Sequence, residues 1–507
     1  MGFTDLNKPK NVLGASAVSI SNPNSTFGEV LVSAYEPIGQ GDFIHNINSQ
    51  VFITSSFAGG SMTTVSGNAE LSSGTNAAGS ATVQLRRRLE YRPGQGSLMR
   101  ATAIFDTPAA GNAQFVGAGT SECGYFIGYF AGNFGILHSE TGAREVRKYT
   151  VTTGEGSENA TVTLDGSAIV VPISGNNDTS QTAYQLSIQD YSQVGNGGWL
   201  ADAIGDDVFF IAARSNSTST GSYTISGPSI VGSFSREQAG EAQTNTFIGS
   251  ASFNTDRLDG TGPSGMTLNP QRGNVYQIGY QYLGYGNATF GAEDPETGQN
   301  AICHQIRNAN SRTTPVLKDP NLSVLATTAN IGGTTSKVLK TASMAAFTEG
   351  QIAKLDPKFA KSFSFTNVNS ATYVPAAILK ASRFFDGRSS FGEFDILRVY
   401  ASNETSNKTL TVGFFLDAVI DGDVDFQYVN TTESVVNYAA LDPDNDTIVD
   451  IANLSPFHEF VVGGNSGVSQ NLEDLKFVFG PGKNFVMAIK TSAQISGLVG
   501  VSWFEQQ

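Results

Sequence analysis

The chain has 507 residues, with 45 acidic against 30 basic side chains and a formal net charge of −15. Neutralising phosphates over a large surface needs clustered Lys and Arg, so this balance argues against nucleic-acid binding. Charged residues make up only 15% of the chain and glycine supplies 56 positions, which excludes charge-driven disorder and suits short strands joined by tight turns. A chain this long is expected to form two or three domains, each with its own core.

Residues 1–27 are polar and turn-rich and read as an extended arm. Strands are expected at 27–35 and 50–54. The Ser-, Gly-, Thr- and Ala-rich run 55–81 has two readings: a flexible linker, or strands that gain cover from another chain. Residues 1–84 together read as an anchoring or oligomerising segment. Arg86, Arg87 and Arg88 form the compact basic cluster. In a strand, Arg86 and Arg88 share one face, as in an edge or inter-subunit strand lined by salt bridges.

The main β-sandwich is expected over 85–153 and again over 247–347. Within it Tyr276, Ile278, Tyr280 and Tyr282 alternate with polar or small residues, the period-two signal of a half-buried strand. A turn at 294–298 leads into a returning strand at 302–306. An inserted β-domain spans 154–246, with strands at 160–164, 169–173, 182–188, 207–213 and 222–228, and Trp199 as its core anchor. A linker or short helix is expected at 348–359, and a final β-domain over 360–507. Helix signals are nearly absent, and no fixed-period repeat points to a propeller or solenoid. The expected class is therefore all-β, a multi-domain β-sandwich or jelly roll.

Four strings carry a resemblance: RRRLEYRPGQGSLMRATAIF, GYFIGYFAGNFGIL, DRLDGTGPSGMTLNPQRGNVYQIGYQYLGYG and EDPETGQNAICHQI. They resemble a family of uncharacterised structural proteins of tailed phages and of large double-stranded DNA viruses of protists and algae. The resemblance covers roughly residues 28–349. It implies a concanavalin-like sandwich in a virion surface component, such as a spike, fibre or vertex protein. Its implied partners are other virion proteins and further copies of itself, a homotrimer or another symmetric oligomer. The early residues do not read as a signal peptide, and no run of 18 apolar residues is present. Assembly in a host cytoplasm followed by release in the virion is the expected localisation, without membrane insertion.

Catalytic residues are not expected. Cys303 and His304 are adjacent and would point to opposite faces of a strand. The 262–265 turn is not a nucleophile elbow, and the glycines at 259–265 lack a Walker lysine. Cys123 and Cys303 are too few for a disulfide framework and read as free buried thiols, with a bridge open if their strands are neighbours. A glycan-degrading enzyme on the same sandwich and a cellular adhesin are the competing classes. For host-surface carbohydrate, Tyr282, Tyr285 and Asn287 combine aromatic platforms with an amide, as do Tyr125, Tyr129 and Asn133; each set reads equally as core. The cofactor expectation is none, unless Ca²⁺. Asp442, Asp444 and Asp446 alternate as in an EF-hand, but Thr447 and Asn453 stand where Gly and Glu belong, leaving a looser oxygen-ligand site. Asp421, Asp423 and Asp425 form a second acidic turn.

Overall fold

The computed structural model describes residues 34–120, 122–154, 158–174, 178–195, 197–350, 358–421, 424–443, 447–448, 455–473 and 478–506. The protein is all-β, a multi-domain sandwich built from antiparallel sheets, with an inserted β unit and a C-terminal β-sandwich. No helix among the described residues is long and apolar enough to cross a membrane.

The main sandwich pairs a six-stranded and a seven-stranded sheet. The first runs in the order Tyr35–Asp42, Ser343–Glu349, Ser97–Ala103, Asn274–Tyr280, Ala288–Glu293, Asn300–Ile306. The second runs Asn245–Gly249, Asn133–Ser139, Gly124–Phe130, Asn112–Gly119, Leu322–Asn330, Ser80–Leu89, Phe52–Phe57. Tyr276, Ile278 and Phe290 from one sheet share a core with Val83, Leu85 and Val116 from the other. The alternation expected over 276–282 is realised as far as Tyr280: Tyr276, Ile278 and Tyr280 are buried, while Gln277 accepts from the exposed Arg100 at 3.0 Å. The strand ends before Tyr282, which lies in the following loop.

The Ser/Gly-rich run is neither a linker nor a strand awaiting another chain. Phe52–Phe57 pairs with Ser80–Leu89, and Ser61–Val65, Asn68–Ser72 and Val338–Thr341 form a ribbon against the same core. Ala69 and Leu71 are fully buried there. The small residues allow close backbone approach: a Cβ on Gly60 would stand 1.9 Å from the Ser80 carbonyl oxygen. The expected arm at 1–27 lies outside the described residues.

The segment 145–153, observed as the strand Arg144–Gly154, was expected to continue the main sandwich. It instead sits inside the insert's four-stranded sheet, between Asp207–Ser215 and Ile230–Gln238, with Trp199–Ile204 at the far edge. A three-stranded sheet, Ser167–Ile173, Glu158–Leu164 and Thr224–Ser226, completes the unit. The strand expected at 182–188 is a helix, Thr179–Ser187. Asp178 accepts from the Gln181 N–H at 2.9 Å while the Gln181 side chain accepts from the Asp178 N–H at 3.1 Å, a capping box. Ala183 and Leu186, three apart, then face the core. Trp199 is a core anchor, as expected.

In the C-terminal unit the strands Lys358–Val368, Ile495–Gln506, Glu393–Asn403 and Ser466–Asn471 face a six-stranded sheet centred on Val374–Ala381 and Asn484–Thr491. Trp503, Phe394 and Phe414 fill the space between them. Residues 351–357, within the expected linker or short helix, lie outside the described residues; Lys358 already begins a strand. Cys123 and Cys303 are free and buried. Their thiols donate to the carbonyls of Asp319 (3.2 Å) and Phe290 (3.3 Å).

The arginine cluster is not an edge or inter-subunit strand. Ser80–Leu89 lies between two neighbours, and its arginines reach the C-terminal unit of the same chain. Arg86 pairs with Asp417 at 3.3 Å and Arg88 with Glu393 at 2.9 Å. Two guanidinium groups lie over the Phe391 ring, Arg88 at 5.0 Å and Arg144 of the insert at 4.7 Å. Glu122 of the main sandwich accepts from the Arg144 N–H (3.2 Å) and the Ser389 hydroxyl (2.8 Å) and pairs with Lys318 at 3.3 Å. Asp202 and Lys380 form a further ion pair between insert and C-terminal unit.

Burial pushes the Glu393 carboxyl up to about 8 from 4.5, against the opposing pull of Arg88. With the folded value above the unfolded one, this group's contribution to stability is complete below about pH 4.5 and is lost as pH rises towards 8. Glu393→Gln should therefore flatten the fall in unfolding midpoint across that window in pH-dependent denaturation; an unchanged slope refutes the assignment. Arg88→Met, which removes the hydrogen-bond donor to a buried carboxyl that is protonated at neutral pH, should cost about 1–3 kcal/mol in urea unfolding.

Candidate functional site

Residues 281–287 join Asn274–Tyr280 to Ala288–Glu293 at one end of the main sandwich. The turn is made by two consecutive left-handed residues, Leu283 at φ +37° and Gly284 at φ +75°. Glycine adopts this conformation freely, whereas for leucine it costs on the order of 1–3 kcal/mol. The Gly286 N–H donates to the Tyr282 carbonyl at 2.6 Å and closes the loop. A Cβ at Gly286 would stand 1.6 Å from the Gln281 carbonyl oxygen, so no larger residue fits this path.

Neighbouring segments hold the strained turn in place. The Val316 N–H donates to the Gly284 carbonyl at 2.8 Å, and the Tyr282 hydroxyl donates to the Leu317 carbonyl at 2.9 Å. Asn308 Nδ2 donates to the Gly286 carbonyl at 2.6 Å, and the Asn308 N–H donates to Asn287 Oδ1 at 3.4 Å. The Tyr91 ring meets Tyr282 edge-on, with centroids 5.0 Å apart. Leu283 and Tyr285 are left projecting, 46% and 41% exposed.

The three sequence-predicted glycan residues thus share one loop but have different roles. Tyr285 faces solvent, Tyr282 is half-buried and holds the loop by its hydroxyl, and Asn287 accepts a bond within the loop's own frame. The alternative set is not a surface platform: Tyr125 and Tyr129 are buried in the core, and Asn133 bonds the Ala131 carbonyl.

Beneath the loop, Arg312 donates through both terminal nitrogens to Glu140, holding its carboxyl below the usual range. Glu140 also lies 3.4 Å from His138 Nδ1. His138 stacks on Tyr125 with centroids 4.9 Å apart, and burial pushes its imidazole down to about 4, so it is neutral at physiological pH. Burial raises the thiols of Cys123 to about 11 and Cys303 to about 12, far from nucleophilic thiolates. His304 Nδ1 accepts from the Asn254 N–H at 3.2 Å.

Of the proposed metal ligands, Asp442 is exposed, and Asp444 and Asp446 lie outside the described residues. Among the described residues no group of three His, Cys, Asp or Glu side chains is disposed to hold a metal ion. The two acidic turns are not independent, however. Ile420 pairs with Ile448 and Asp421 with Thr447, a two-stranded ladder between the chain at the start of one acidic stretch and the chain after the other. Sequence reasoning missed a polar cleft on the insert, where Glu145, Asp165 and Arg214 converge. These residues are scattered over 145–214, so no local motif marks them.

No protein-family model matches the sequence, and no curated protein matches it. Solved structures with partial likeness include an endo-1,3-β-glucanase from Streptomyces sioyaensis, at 9% identity over 63% of this chain and 98% of that one, with a TM-score of 0.30. The metal-free carbohydrate recognition domain of Emp46p overlaps at 10% identity, 63% of this chain and 100% of that one, with a TM-score of 0.24. The exoplasmic/lumenal domain of VIP36 in its Ca²⁺/Man3GlcNAc-bound form overlaps at 10% identity, 63% and 91%, with a TM-score of 0.23. At such scores the overlap says nothing about ligand or chemistry.

The left-handed leucine gives a direct test of the loop. Leu283→Gly removes roughly 1–3 kcal/mol of strain and adds roughly 0.4–1 kcal/mol of unfolded-state freedom. Its thermal midpoint should equal or exceed that of the parent in calorimetry. A clear drop would mean that the exposed leucine side chain supports the fold.

Proposed function

We propose that this chain is a structural attachment protein of a virion surface, a symmetric homo-oligomer that contacts host-surface carbohydrate through the loop 281–287. The observation that carries the carbohydrate reading is the projection of Tyr285 beside Leu283 from a loop braced by Val316, Leu317 and Asn308. An aromatic face held in advance loses little conformational freedom when a sugar ring stacks on it. The strain at Leu283 supports the same reading, because an unfavourable backbone conformation at an exposed tip has no stabilising role of its own. Support for the virion setting comes from the sequence resemblance over roughly residues 28–349.

The role is binding and assembly rather than catalysis. The buried thiols are held protonated, the buried carboxylates Glu122 and Asp202 are engaged in ion pairs between β units, and Glu393 is bonded to Arg88.

A broad glycan array probed with the native oligomer tests the site. Tyr285→Ala should lower the bound signal about tenfold, equivalent to about 1.4 kcal/mol, with an unchanged unfolding midpoint. No signal from the parent protein, or equal signal from the variant, rejects the carbohydrate reading. Native mass measurement separately tests the oligomer, and a stable monomer rejects it.

A further inference from the structure

The insert carries a cavity of about 280 Å³. Its wall is Glu145, Asp165, Trp199, Arg214, Asn216 and Ser219. Each is set by the backbone around it. Asp165 sits left-handed (φ +52°) before Gly166 (φ +75°) in the tight turn between Glu158–Leu164 and Ser167–Ile173. Trp199 follows Gly197 (φ +111°) and Gly198 (φ +82°). A Cβ at Gly198 would stand 2.4 Å from the Ser192 carbonyl oxygen, so the chain can pass beneath the cavity there only as glycine.

The polar groups of the wall are fixed before any ligand arrives. Glu145 is 3% exposed and accepts from Arg147 Nε at 2.6 Å and from the Ser219 N–H at 2.8 Å. The Ser219 hydroxyl donates to Asp165, so one serine ties both carboxylates to the loop between Asp207–Ser215 and Thr224–Ser226. Arg214 donates to the Ser80 hydroxyl at 2.5 Å and lies over the Phe57 ring at 5.0 Å, which locks the cavity's rim to the main sandwich. Carboxylates, a guanidinium, an amide and hydroxyls therefore converge on a space backed by an indole. Since Arg147 already compensates Glu145, a charged ligand gains little there.

We propose that this cavity binds one uncharged, polyhydroxylated ring, a single pyranose unit, at a site separate from the tyrosine loop. Ring hydroxyls donate to the carboxylates and accept from Arg214 and Asn216, and the apolar edge meets Trp199. The volume falls just below the usual range of ligand pockets, roughly 300–1,000 Å³, which fits one ring rather than a chain.

The test uses the full chain and the methyl glycosides of glucose, galactose, mannose and N-acetylglucosamine, read by saturation-transfer NMR and titration calorimetry. At least one should bind saturably. Asn216→Leu, which fills the mouth from an exposed position, should weaken that binding at least tenfold. Asp165→Asn keeps a residue tolerant of the left-handed turn and should weaken it comparably, with an unchanged unfolding midpoint. Tyr285→Ala should leave it unaltered. Failure of all four glycosides to bind, binding that survives Asn216→Leu, or binding that falls with Tyr285→Ala would each overturn the proposal. Only the array with Tyr285→Ala bears on the tyrosine loop, so the two sites fail independently.

Discussion

The contact of Phe391 with both Arg88 and Arg144 is the constraint on which the rest of the architecture depends. It joins three pieces of chain that are far apart in sequence: the main sandwich, the insert and the C-terminal unit. Charges taken out of water destabilise a protein unless they are paired with good geometry. Here Arg88 meets Glu393, Arg144 meets Glu122, and Lys380 meets Asp202, each pair crossing a boundary between units. Moving one unit relative to another would strand a desolvated charge. Hydrophobic contact across the same boundaries, such as the Phe209–Phe384 stack at 4.1 Å, tolerates sliding far better than these pairs do. The ion pairs therefore specify orientation, while the three separate cores supply most of the stability.

Much of the local structure was legible in the residues. The alternation at 276–280 predicts a strand with one buried face, and Trp199 reads correctly as an anchor, because both signals arise from side chains meeting a neighbouring layer. Three features were not legible for a common reason: their environment comes from elsewhere in the chain. The run 55–81 has few large side chains, yet Ala69 and Leu71 are buried where Asn68–Ser72 pairs with Val338–Thr341. Arg144–Gly154 has the pattern of a sandwich strand, and only its partners assign it to the insert. Arg86–Arg88 reads as a surface cluster until the C-terminal carboxylates are placed against it. The helix at Thr179–Ser187 is different, since its Asp178–Gln181 capping signal is local to the sequence.

The tyrosine loop shows the same division. That Tyr282, Tyr285 and Asn287 lie together follows from their spacing. Which of them faces solvent does not, because it depends on Val316, Leu317 and Asn308, between 22 and 35 residues from their partners in the loop. Those contacts turn Tyr282 inward and leave Tyr285 outward. A stretch that reads as a set of equivalent aromatic platforms is in fact one platform and two supports.

The braced loop and the insert cavity share a physical design. In each, a backbone conformation that ordinary side chains disfavour is stabilised by hydrogen bonds from distant segments: Leu283 and Gly284 in the loop, Asp165 and Gly166 beside the cavity. Such bonds immobilise the polar and aromatic groups before contact, so less freedom remains to be lost on binding. The buried ion pairs extend this rigidity across the units, since Arg144, one member of the Phe391 junction, begins the strand that also carries Glu145. A shift at the junction would move the cavity wall with it, one residue away. The three-unit junction thus does more than hold the molecule together: it sets the geometry of a surface that lies on the insert alone.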